Sequence, residues 1–319
     1  MVVLNNNSKR KRFGVVIVTY NRLSLLKECI ECVMCQTRPF DYVMIVNNCS
    51  TDGTSEYLNN YKSFKYLLDF NVYNTKNNLG GAGGFRIGVE QIYSKVDYVL
   101  LIDDDAMLDK EFLNNIERNM DDSIFAYSGT VETNNVIDTS HRRKVKNSIL
   151  MTKDDISIEE YKKTYFDYDM ATFCGLMVSS KIIQMIGFPK SEYFIWYDDT
   201  EYSLRIRKYS KIRNINSSKI NHKAISSFST ELSWKSYYGY RNAIDMGRMY
   251  SKLPIVYLVY RWSFHIVRFL IYSVKSLLQR DTQKKKYLQT CAIMNIDVLK
   301  DSIIGKLGKS DKYFSGFKF

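Results

Sequence analysis

The stretch YVLLIDDDAML, Tyr98–Leu108, is an apolar run that ends in three consecutive aspartates. The apolar part is short for a helix and suits a buried strand. Adjacent like charges repel, so three carboxylates at a strand end require a partner. Alternate strand residues face the same side, which lets Asp103 and Asp105 converge. Two carboxylates meeting at one point need a cation. A hard divalent ion with open positions for phosphate oxygens suits them. Solvated acids capping a helix N-terminus are the plainer alternative.

Similar runs lie on either side of this stretch. FGVVIVTY (Phe13–Tyr20), DYVMIVNN (Asp41–Asn48) and FKYLLDFNVYN (Phe64–Asn74) read as strands. Segments with helical spacing separate them, and the second opens with Thr51 or Asp52 as a possible cap. Alternation of apolar strands with helices predicts a mostly parallel, Rossmann-like α/β sheet covered on both faces. Ligands bind such sheets beyond the carboxyl ends of the strands. TYNR, NNCSTDGT and DDDA each follow a strand, so three polar clusters share one edge. Further on, MATFCGLMVSS (Met170–Ser180) reads as one more strand, and Tyr193–Tyr209 as a strand or loop running into a helix. The chain from Leu232 reads as helical and basic.

Three other clusters suggest chemistry. NNLGGAGG, Asn77–Gly84, is a glycine-rich turn into a helix, which lets backbone approach an anion, with Arg86 as a charge partner. Tight packing alone would also explain it. WYDDTEYSLR holds Asp198 and Asp199 side by side. Each raises the other's pKa, which favours a general base near neutral pH; a pair of helix-start acids is the alternative. Trp196 and Tyr197 offer a stacking face for a sugar ring or belong to the core. Glu201 and Arg205 read as a surface i, i+4 pair.

The 319-residue chain carries a net charge of +12. Such a charge suits an anionic partner: nucleic acid, an acidic membrane face or a phosphorylated substrate. A nucleic-acid module would interleave cations with aromatics on one stripe. Here the strand-end motifs are acidic or glycine-rich and the cations lie elsewhere, so no nucleic-acid partner is expected, with a polyanion- or nucleic-acid-binding protein kept as the alternative of another class. The six cysteines form no zinc pattern and read as reduced thiols. The first residues do not read as a signal peptide. Residues 1–12 form a basic tail. In the apolar segment from Pro254 to Arg280, Arg261, His265 and Arg268 share one face. That spacing argues against a membrane span. It fits an amphipathic helix that packs on the domain or lies on an anionic membrane.

Together and in this order, VVIVTYNR, VNNCSTDGT, NLGGAGGF, LLIDDDA and WYDDTEYSLR resemble the family 2 glycosyltransferases of the GT-A fold. YYGYRN (Tyr237–Asn242) is similar to a segment of capsule and cell-wall members. The glycine loop and later acidic motif look most like the galactofuranosyltransferase branch, with rhamnosyltransferases as neighbours. The resemblance implies a GT-A catalytic domain over residues 13–230 and a helical extension over 231–319. It implies that Asp103 and Asp105 hold Mn²⁺ or Mg²⁺ against the donor diphosphate, with His222 completing the site. Thr19, Tyr20, Asn47, Asn48 and Asp104 would line the donor pocket, joined by Asn78, Gly80, Gly81, Gly83 and Arg86. Asn47–Asn48 replaces the acids many members carry there, and an amide can read a base-ring edge. Asp199 would deprotonate the acceptor, with Asp198, Trp196 and Tyr197 binding it. The implied reaction is inverting transfer, with UDP-galactofuranose as the leading donor and dTDP-rhamnose as the alternative. The acceptor would be a lipid-linked cell-surface glycan, placing the enzyme in the cytoplasm at the inner membrane face.

Overall fold

The computed structural model describes residues 10–61, 69–223 and 231–317. Its first half follows the strand–helix alternation: β1 (Phe13–Thr19), α1 (Leu23–Met34), β2 (Tyr42–Asn47), α2 (Thr54–Asn60), β3 (Asp69–Asn74), α3 (Gly80–Ile92) and β4 (Tyr98–Asp103). The part of the third expected strand before Asp69 lies largely outside the described residues. β5 (Ala106–Leu108), α4 (Phe112–Arg118) and β6 (Ala126–Thr133) follow. A small region holds β7 (Val136–Ile137), β8 (Arg142–Asn147), β9 (Thr152–Asp155), β10 (Tyr165–Tyr168) and β11 (Met170–Ala171). The fold continues with β12 (Leu176–Ser179), α5 (Ser180–Ile186), α6 (Asp198–Ile206) and β13 (Ile212–His222). It ends in α7 (Trp234–Tyr250), α8 (Pro254–Leu278) and α9 (Thr282–Ile304).

The main sheet runs β10-β13-β6-β12-β4-β1-β2-β3. β3, β2, β1 and β4 are parallel, while β12 pairs antiparallel to both β4 and β6. The strand period of two separates the sheet's faces. Val15, Ile17, Leu100 and Ile102 pack under α1 and α4. Val16, Val18, Val99 and Leu101 pack under α3, α5 and α6. Burial on both faces explains why these strands read as continuous apolar runs.

Two expectations need correction. MATFCGLMVSS is two strands in different sheets, β11 and β12, and not one. The break comes at Gly175, whose φ of +86° lets the chain turn where a Cβ would stand 2.1 Å from Ile220 Cδ1. Buried Arg142 fixes the same turn, donating to the carbonyls of Cys174 and Gly129. Glu201 and Arg205 are not a surface pair. Glu201 is buried, 2.8 Å from Arg205 Nη2, and accepts from the Tyr250 hydroxyl at 2.8 Å. Arg205 donates onward to the carbonyls of Ile186 and Phe188.

The boundary expected at residue 231 adjoins residues outside those described. Beyond it, α7 packs on the catalytic sheet's loops, and α8 and α9 pack on α7. The six cysteines are free thiols.

Candidate active site

The parallel register assembles the site. Thr19 at the end of β1 is level with Asn47 of β2, and Val18 with Asp103 of β4. After Asp103 the chain turns back as β5, which pairs antiparallel with the end of β13 and sets His222 opposite Ala106. The Lys223 N–H closes this corner on the Asp105 carbonyl at 2.8 Å. Residues some 120 apart in sequence are thus brought against the same aspartates.

A cavity of about 820 Å³ opens over this edge. Thr19, Tyr20, Asn48, Asn78, Gly80 and Gly81 line one part of it. Asp103, Asp104, Asp105 and His222 also line it, as do Trp196, Asp198 and Asp199. Four expected contributors lie off the lining. Asn47 donates to Ser55 Oγ at 2.7 Å and Asn74 Oδ1 at 2.8 Å and accepts from the Ser50 N–H, so its amide is used within the protein. Gly83 lies inside α3, with the Leu79 side chain beside its Cα. Arg86 stacks its guanidinium over the Phe188 ring at 6.0 Å. Tyr197 is turned into a second, small cavity with Thr200, Tyr257 and Arg261.

Asp104 accepts from Thr19 Oγ1 at 2.7 Å. Arg22 Nη1 bridges Asp104 Oδ1 at 3.2 Å and Asp105 Oδ2 at 2.6 Å. The other oxygen of Asp105, Oδ1, is buried and takes part in no hydrogen bond, although His222 Nε2 stands 3.4 Å away. Burial, reinforced by the charges of Asp105 and Asp104, pushes Asp103 well above the ordinary carboxylate range. Burial also raises Asp104 to about 6, against its bonds from Thr19 and Arg22. Burial works the same way on Asp105, but His222 and Arg22 outweigh it and hold that carboxylate low. Among the described residues no three or more acid, cysteine or histidine side chains are gathered so as to hold a metal ion. The carboxylates of Asp103 and Asp105 are of the donor type that Mn²⁺ or Mg²⁺ takes. Asp105 Oδ1 makes no hydrogen bond and has the His222 imidazole as its ion-pair neighbour.

The glycine loop is shaped by packing as well as by space for a ligand. Gly80 has φ +72°, and a Cβ there would meet the Phe194 carbonyl at 1.9 Å. Gly81 has open space where its Cβ would be and lines the cavity. Asn48 ties the loop down, accepting from the Leu79 N–H and donating to the Gly80 carbonyl, each at 2.9 Å. The segment ahead of α6 is held in strain. Phe194, Trp196 and Tyr197 have φ between +64° and +69°, which non-glycine residues rarely adopt. Buried Asn242 of α7 holds it, with Nδ2 2.9–3.1 Å from the carbonyls of Tyr193, Ile195 and Trp196. Asp198 and Asp199 then open α6. Burial and the Asp199 charge push Asp198 up to about 8. Burial also raises Asp199, against bonds from Thr200 and the charge of Lys153.

Several site residues were missed in the sequence reading. Arg22 stood in the TYNR motif without a role. His141 lines the cavity with its ring 5.0 Å from His222 and its Nδ1 2.7 Å from Thr172 Oγ1. Trp234 and Lys235, at the start of α7, also line the cavity. No local pattern marks these residues, because only the tertiary fold brings them to the strand ends.

An acid-lined cavity beyond the strand ends of a half-parallel sheet lies where such α/β sheets bind their ligands. Residues 14–180, more than half of the chain, match glycosyl transferase family 2, and the chain belongs to that family. It is similar to the poly(ribitol-phosphate) beta-glucosyltransferase of Bacillus spizizenii, at 36% identity over 104 residues. That match covers 32% of this chain and 16% of the relative. The chain spans less than a fifth of the length of the curated relatives it matches. Among solved structures, GalNAc-T7 with UDP, GalNAc and Mn²⁺ superposes with a TM-score of 0.64 at 13% identity, covering 94% of this chain and 58% of that one. The S. aureus TarS fragment 1–349 with UDP gives 0.56 at 14% identity, covering 96% and 98%. These likenesses establish the GT-A fold, and residues 14–180 carry the family's glycosyl transferase domain.

Proposed function

We propose that this chain is an inverting glycosyltransferase that moves a sugar from a UDP-linked donor onto a lipid-linked cell-surface polymer. The observation that carries this reading is that two acidic clusters line one cavity. Asp103, Asp105 and His222 form one and Asp198–Asp199 the other, near enough for Asp198 to raise Asp103. Asp103, Asp105 and His222 would hold a divalent cation, which when bound neutralises charge on the leaving diphosphate. Thr19 and Asn48 position the nucleoside side of the donor, and Gly81 leaves room for its phosphates.

The acceptor hydroxyl approaches from the Asp198–Asp199 side. Asp199, the acid that the family resemblance assigns as base, removes its proton as that oxygen attacks the anomeric carbon in line. Asp198, raised to about 8, keeps its proton at neutral pH and donates a hydrogen bond that orients the acceptor. The exposed Trp196 ring offers an apolar face to a sugar.

UDP-galactofuranose remains the leading donor, on the resemblance of the glycine loop and later acidic motif, with dTDP-rhamnose beside it. The similarity to a poly(ribitol-phosphate) beta-glucosyltransferase favours a second reading, UDP-glucose and a polyol-phosphate acceptor. A screen of nucleotide sugars for hydrolysis or transfer, with and without Mn²⁺, tests the proposal. Turnover of one UDP-sugar that depends on the ion supports it. No turnover of any nucleotide sugar under either condition would overturn it.

A further inference from the structure

The outward face of α8 is apolar apart from exposed Ser263 and Lys275. Val256, Val259, Ile266, Leu270, Val274 and Leu277 are all exposed, the last at 76%. Their spacing of three to seven residues places them in one stripe. From Val256 to Leu278 it is about 33 Å long at the helical rise. Single exposed aliphatic residues are ordinary, but a continuous stripe of this length on a soluble surface is not. The polar face of the helix is the one turned inward. His265 is fully buried against Asn295, and Arg268 donates to the hydroxyls of Tyr240 and Tyr272.

Charge identifies what covers the stripe. α8 contains no acidic residue. Between Lys275 and Lys286, at its C-terminal end, the chain carries five cations and one carboxylate, Asp281. Exposed Lys252 stands at the other end. We propose that this stripe seats α8 in the headgroup layer of an anionic membrane, lying along the surface without crossing it. Among the described residues no helix is long and apolar enough to cross a membrane. A second copy would bring +12 against +12, whereas anionic lipid attracts both the cation clusters and the chain as a whole. The geometry also places the helix where a lipid-linked acceptor would enter. Tyr257, Tyr260 and Arg261 of α8 share the small cavity with Tyr197 and Thr200, which flank Asp198–Asp199. The purpose of the anchor rests on the proposed lipid-linked acceptor, but the binding itself does not.

Co-sedimentation of the full chain with vesicles at low salt tests the proposal. Binding to phosphatidylcholine vesicles containing phosphatidylglycerol is expected, with much weaker binding to phosphatidylcholine alone. The triple variant Ile266→Ser, Leu270→Ser, Val274→Ser should bind roughly tenfold or more weakly, with transfer to a short soluble acceptor retained. That retention separates failure of the anchor from failure of the transferase reading. Wild-type protein left in the supernatant with anionic vesicles would overturn the proposal. So would concentration-dependent self-association that the triple variant abolishes, because a second copy would then cover the stripe. If the triple variant does not fold, Leu277→Trp provides the readout. A blue shift of the added emission on vesicles is expected, and unchanged emission from vesicle-bound protein would overturn insertion.

Discussion

At the scale of single residues, the two acidic clusters divide the labour in ways that substitutions can separate. Asp199→Asn keeps size and hydrogen bonding but removes the base. Transfer should fall by about two to four orders of magnitude, with donor affinity little changed. Asp198→Asn should cost less turnover, because an amide can still donate where the protonated acid did. Wild-type transfer should decline as pH rises through about 8, where Asp198 loses its proton, and this limb should be missing in Asp198→Asn. Each carboxylate perturbs the other, so the profile reports the pair. A larger loss in Asp198→Asn than in Asp199→Asn would exchange the roles. In the other cluster, Asp105→Ala removes the carboxylate whose Oδ1 lies buried without a hydrogen-bond partner. Calorimetry of UDP with Mn²⁺ should then show metal-dependent binding abolished, and His222→Ala should show a milder loss. Unchanged affinity in Asp105→Ala would remove that residue from the donor site.

At the scale of elements, the sequence was informative where chemistry is local and silent where it is not. β1, β2 and β4 could be read because both sheet faces are covered and their residues are uniformly apolar. The DDD and DDT motifs could be read because adjacent carboxylates are costly and therefore informative. By contrast, the turn at Gly175 depends on Arg142 and Ile220 arriving from elsewhere. Nothing in NNCSTDGT shows that the Asn47 amide is used up by Ser55 and Asn74. The strained loop before α6 likewise depends on a distant side chain, Asn242, whose amide bonds three of its carbonyls. Asn242→Ala leaves those carbonyls without that donor, a loss of about 1–3 kcal/mol in stability. It should also release Trp196 and the Asp198–Asp199 pair from their positions. Turnover should therefore fall more than donor affinity. Thermal unfolding alongside steady-state kinetics checks both, and unchanged turnover in a destabilised variant would show that the loop does not position the pair.

At the scale of the whole molecule, amphipathicity alone did not reveal which face of α8 looks inward, and the answer has a thermodynamic consequence. The face shared by Arg261, His265 and Arg268 packs toward α7 and α9. Asn295 Nδ2 is committed to the Cys291 carbonyl at 2.8 Å, so its Oδ1 faces the His265 ring and Nδ1 carries the proton. Nε2 is buried with no hydrogen-bond partner, so a second proton there would find no acceptor. Burial, helped by the charges of Arg261 and Arg268 and opposed by the Asn295 bond, lowers His265 to about 4. A folded-state value below the unfolded one, near 6.5, means the unfolded chain takes up the proton first as pH falls. The stability due to the neutral ring is therefore fully present above about 6.5 and is lost progressively down to about 4, in total on the order of 3 kcal/mol. His141, also lowered chiefly by burial, adds in the same direction, while His222 and the buried acids Asp103, Asp104 and Asp198 are raised and act in the opposite one. The test is therefore comparative. Between pH 7.5 and 5 the wild-type urea midpoint should fall further, or rise less, than that of His265→Gln, whose midpoint at pH 7.5 is itself lowered by the loss of ring packing. An equal acid shift in both proteins would mean that the junction of α8 with α9 tolerates a charged imidazole, and that the inward face of this helix is wetter than its packing implies.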